Sequence, residues 1–124
     1  MKLVLSLCLS LLIVGCSNKT GKEEKELATK QFVDCDFHSA IYSAKLAISH
    51  AGGDVSVMVP SYLIVGKSSE FLDIESSAYD KIVELVPNNI PNVEAAKRTA
   101  KAFVESLSKM APEKVDACDE LKGS

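Results

Sequence analysis

Residues 92–110 read NVEAAKRTAKAFVESLSKM, and their spacing predicts a helix. Ala96, Ala100, Phe103, Leu107 and Met110 recur at intervals of three and four, which puts them in one stripe on a 3.6-residue turn. Lys97, Arg98, Lys101 and Glu105 fall on the wet faces. Asn92 suits the N-cap, where a side-chain oxygen accepts from a first-turn amide. Upstream, Val33, Phe37, Ile41, Ala44, Ile48 and Ala51 repeat the same spacing. They predict a first helix from about Glu24 to Ala51, stopped by Gly52-Gly53. Cys35, Ser39, Tyr42 and Leu46 form a second, mixed face of that helix, so neighbours are expected on two sides. A further helix is expected from about Ser69 to Val86, with Phe71, Ala78, Ile82 and Leu85 on one face. Leu72, Tyr79, Val83 and Val86 lie beside them. Pro87-Asn88-Asn89-Ile90-Pro91 then turns the chain. Pro112 permits a break and restart, after which Val115, Cys118 and Leu121 share an approximate face. The expectation is an all-α bundle of three to four helices.

Residues 54–67 leave two readings open. Val55, Val57 and Val59 alternate with Asp54, Ser56 and Met58, the period of a strand. Tyr62 to Val65 would supply a second strand. Pro60-Ser61 lacks the chemistry of a two-residue hairpin turn, and an isolated hairpin is weak by itself. The segment is therefore expected to be helical or irregular and packed on the bundle, with Met58 as packing.

The first residues carry a different signal. After Met1-Lys2, the run from Leu3 to Val14 is apolar apart from Ser6 and Ser10. About a dozen apolar residues suit a secretory signal core and are too short to span ~30 Å of hydrocarbon as a helix. Ile13-Val14-Gly15-Cys16 resembles the lipobox of bacterial lipoproteins. The resemblance implies cleavage before Cys16, so that residues 1–15 are a signal peptide. It also implies a diacylglyceryl thioether on Cys16, usually with an N-acyl chain such as palmitate, and hence a stable membrane anchor. Ser17, where an Asp would mark retention, implies an outer-membrane address facing the periplasm if the source has two membranes. Residues 16–26 then read as the lipidated cysteine and a polar tether, and residues 27–124 as one helical domain.

With Cys8 in the signal and Cys16 on lipid, Cys35 and Cys118 remain. An even pair in an exported chain reads as one disulfide, clamping the first helix to the last. The chain-entropy relation gives at most roughly 4–5 kcal/mol for a loop of this size. A small domain without tryptophan gains from such a staple. The whole chain has a net charge of −3, and the loss of Lys2 makes the mature part more acidic. That balance argues against nucleic acid or an anionic membrane surface as an electrostatic partner.

Candidate chemistry is sparse. Asp34-Cys35-Asp36-Phe37-His38 is the one polar cluster worth testing. Asp34 and His38 are four apart, a spacing that on a continuous helix puts both on one face and within reach of one metal ion. A zinc site needs three or four ligands. His50 lies about 18 Å further along such a helix. No G-x-S-x-G elbow, phosphate loop or dinucleotide glycine pattern occurs, and no cofactor is implied. The expected function is a non-enzymatic interaction module in the bacterial envelope: an inhibitor, immunity, exclusion or accessory protein, held at the membrane beside an envelope protein partner. The Lys97, Arg98 and Lys101 face and the 54–67 segment are the candidate partner surfaces. A small-ligand carrier, or an enzyme or metal site using Asp34 and His38, are the alternatives.

Overall fold

The computed structural model describes residues 20–110 together with Cys118. Among them are five helices and no strand: α1 (Lys22–Val33), α2 (Phe37–His50), α3 (Val55–Leu72), α4 (Ala78–Leu85) and α5 (Val93–Met110). The all-helical class expected from the sequence is therefore observed, with more helices than the three or four anticipated. The leader and Cys16 lie outside the described residues.

The expected first helix is two helices. At its break, Asp34 N–H donates to Lys30 O, Cys35 N–H to Phe32 O and Asp36 N–H to Gln31 O. Cys35 takes a left-handed φ of 66°. The six-to-one hydrogen bond around a left-handed residue is the Schellman way of ending a helix. Asp36 then caps α2, its carboxylate accepting from Ser39 N–H at 3.4 Å. The expected helix from Ser69 is cut in the same way. Asp73 sits at φ 57°, Ile74 N–H donates to Ser69 O, and α3 ends at Leu72. Asp tolerates the left-handed region because its short polar side chain bonds locally.

Residues 54–67 fall within the turn before α3 and most of α3 itself. Asp54 caps it, accepting from Ser56 N–H at 3.0 Å and from Ser56 Oγ at 2.6 Å. Those bonds to the charged form hold the Asp54 carboxyl below its ordinary pKa. Pro60 stands inside the helix and removes one donor from the ladder. Helix α3 is nonetheless enforced by burial: Val57, Ser61, Leu63, Ile64, Val65, Gly66, Ser68 and Ser69 are all buried. An element covered on several sides has no use for the alternation of an exposed strand.

Helices α1, α2 and α3 run up, down and up. Short turns at 34–36 and 51–54 force each reversal. Ala40, Ala44 and Ala47 on α2 are fully buried, so small side chains let α3 come close. Ser43 Oγ donates to Gln31 Oε1 at 2.7 Å and ties α2 to α1. At the top, Phe32, Phe37 and Phe71 pack ring to ring, with centroids 4.7–6.0 Å apart. At the bottom, Gly21 at φ +85° lies against the Ala47 carbonyl and Val57. Only glycine fits both that backbone angle and that approach.

Helices α4 and α5 cover the outer side of α3. Tyr79, Ile82, Ile90, Ala96 and Ala100 join Leu63 in a second apolar cluster. Asn92 caps α5 as expected, accepting from Ala95 N–H at 2.8 Å. Ala96, Ala100 and Leu107 of the anticipated stripe are buried. Met110 is 80 % exposed, a correction that follows from its place at the end of α5, where no other described helix covers it.

Candidate functional site

The chain brings Cys35 and Cys118 to disulfide distance, their Cα atoms 5.6 Å apart across 83 residues of sequence. Cys35 belongs to the turn between α1 and α2, and Cys118 is buried. The juxtaposition stands at the phenylalanine end of the bundle. The helix that was to place Asp34 and His38 on one face does not exist: Asp34 caps the end of α1, and His38 opens α2 beyond the turn. Asp34 engages a neighbour of its own. Among the described residues, no three His, Cys, Asp or Glu side chains gather where a metal ion could sit.

His50 serves elsewhere. Its Nδ1 lies 3.1 Å from Glu24 Oε1, joining the end of α2 to the start of α1. Glu24 is largely covered, and its Oε2 is buried with no partner among the described residues.

Three surfaces stand out among the described residues. The first is the outward side of α2. His38, Ile41, Tyr42, Lys45, Leu46 and Ser49 line a shallow open depression, with Tyr42 58 % and Leu46 38 % exposed. The sequence pattern expected a helix neighbour on this face; among the described residues the two large side chains stay wet. The second is the exposed face of α5 bearing Lys97, Arg98 and Lys101. The structure parts these three slightly in role. Lys97 also lines a notch with Gly66, Ser69, Glu70, Ile74, Ser76 and Tyr79.

That notch is the third surface, with a volume of about 270 Å³. The Tyr79 hydroxyl donates to Glu70 Oε2 at 2.7 Å. Burial pushes the phenol well above its ordinary pKa, and the Glu70 carboxylate adds to the shift, so the hydroxyl stays a donor. Gly66 makes room for the Tyr79 ring: a Cβ there would fall 2.7 Å from it. By sequence pattern Tyr79 lies merely beside a helix stripe. Its spacing of nine from Glu70 carries no helical signal, because the 73–77 turn lies between them.

No family model, curated protein or solved structure matches this chain.

Proposed function

We propose that this chain is a lipid-anchored, non-enzymatic interaction domain of the bacterial envelope, which presents the outward face of α2 to a protein partner. The observation that carries the partner-binding part is the exposed Tyr42–Leu46 pair in its shallow depression. Exposed aromatic and apolar side chains set side by side in a depression are typical anchors of protein interfaces. The anchor part rests on the lipobox-like stretch ending at Cys16, and the pairing of Cys35 with Cys118 as a disulfide suits an oxidising compartment. The α5 face with Lys97, Arg98 and Lys101 is a second, basic surface for an acidic partner.

Two experiments test the reading. Acyl labelling should mark the chain and be lost in Cys16→Ala. A Tyr42→Ala/Leu46→Ala double variant should reduce crosslinking to its envelope partner at least tenfold, with an unchanged helical circular dichroism spectrum. If only Lys97→Glu/Arg98→Glu removes the crosslink, the basic face binds instead. If none of these surface changes affects function, interaction through these faces is refuted. The small-ligand alternative has one observation in its favour, the Tyr79–Glu70–Lys97 notch. A ligand retained in native mass spectrometry and lost in Tyr79→Phe would support it.

A further inference from the structure

We propose that the end of the bundle formed by the start of α1, the end of α2 and the start of α3 lies against the lipid headgroup layer, with the phenylalanine end presented away from it. The inference rests on Cys16 being the lipidated residue.

The place where the chain enters the domain is fixed by contacts. Gly21 packs on Ala47 and Val57, and Glu24 meets His50. Cys16 and Lys22 are six residues apart in sequence. Six residues span at most roughly 20 Å when fully extended, and about 12–15 Å on average if flexible. The 18 residues of α3 rise about 27 Å from Val55 to Leu72. The tether is thus shorter than the domain is tall. The entry end stays within its span of the membrane, and with α3 along the membrane normal the far end stands about 27 Å further out.

The surface at the entry end fits a headgroup layer. Lys22, Glu23 and Asp54 are exposed and of mixed sign. Val55, 44 % exposed beside the Gly52-Gly53 turn, offers a small apolar tip. These three charges sum to only −1 and are screened within a Debye length, so the tether and not a long-range field sets the contact. Neutral and anionic vesicles should hold the domain alike.

The chain contains no tryptophan, so one introduced indole reports one place. The acylated full chain carrying Val55→Trp or Ile74→Trp, both at exposed positions, is placed in phosphatidylcholine vesicles with a nitroxide on part of the headgroups. Fluorescence of the Val55→Trp variant should be quenched at least twofold more than that of Ile74→Trp, with or without added phosphatidylglycerol. Lys22→Trp and Glu75→Trp repeat the comparison if either variant fails to fold. Equal quenching at the two ends, or stronger quenching at the far end, in a chain whose mass includes the acyl groups overturns the orientation alone. A mass showing Cys16 unmodified overturns the anchor and the orientation together.

Discussion

The two ends of the three-helix core are closed by different means. At the top, three phenylalanine rings and the Cys35–Cys118 juxtaposition seal the bundle. At the bottom, the closure is a glycine packed on backbone, the small residues Ala47, Ala51 and Val57, and the His50–Glu24 pair. The top depends on apolar volume and chain connection; the bottom depends on close approach. The difference teaches where stability is concentrated: buried aromatic carbon is worth several kcal/mol, whereas a half-exposed ion pair contributes little.

The sharpest way to break that comparison is Phe32→Ala. Phe32 is 2 % exposed, and its truncation should cost about 3–5 kcal/mol, read from the urea midpoint. Next comes Cys35→Ser or Cys118→Ser, expected to cost roughly 2–5 kcal/mol under oxidising conditions. Under reducing conditions the difference from the unsubstituted chain should shrink towards zero; a cost that persists would show that packing, not a bridge, is at work. At the bottom, Gly21→Ala should cost about 2 kcal/mol or more. The left-handed angle penalises any Cβ, and this one meets the Ala47 carbonyl. His50→Ala should change stability by about 0–1 kcal/mol, since the imidazole is 40 % exposed. If His50→Ala cost more than Phe32→Ala, the assignment of strength to the top would be reversed.

The smallest effect is spectroscopic. Ionising Tyr79 removes the proton it donates to Glu70, so folding favours its neutral form. A raised phenol pKa contributes stability that is present below the unfolded value of about 10 and lost as pH rises towards the folded one. Below the alkaline unfolding transition, the tyrosinate absorbance gained up to about pH 11 should therefore be the same in Tyr79→Phe as in the unsubstituted chain. A smaller gain in the variant would show that Tyr79 itself ionises in that range.

These closures also explain which parts of the fold were legible in the sequence. Gly52-Gly53, at φ 59° and 87°, announces a helix stop because glycine is the common left-handed residue. The turns at Cys35 and Asp73 perform the same operation with residues that give no such notice. Val33 and Phe37 keep a four-residue spacing straight across the first break, so the stripe reads as continuous although the helix is not. In α3 the alternating valines conveyed strand preference, and burial overruled it. The α5 stripe was legible because one side is dry and the other wet. The Tyr42–Leu46 surface was not, since the sequence gives apolar residues a face without saying whether anything covers it. The notch was hidden for a further reason: its members come from α3, the 73–77 turn, α4 and α5, and only the tertiary fold assembles them.

The position of Cys35 has a consequence for the order of events in transport. A chain that crosses a membrane amino end first delivers Cys35 with Cys118 still 83 residues behind. The turn around it is built from hydrogen bonds within six residues, and such local closures take well under a microsecond to a few microseconds. The turn around its sulfur therefore has time to form and re-form many times before Cys118 arrives. If the chain is exported as proposed, an oxidant on the far side would meet the Cys35 thiol first, and the exchange that completes the pair would wait on the last residues to emerge.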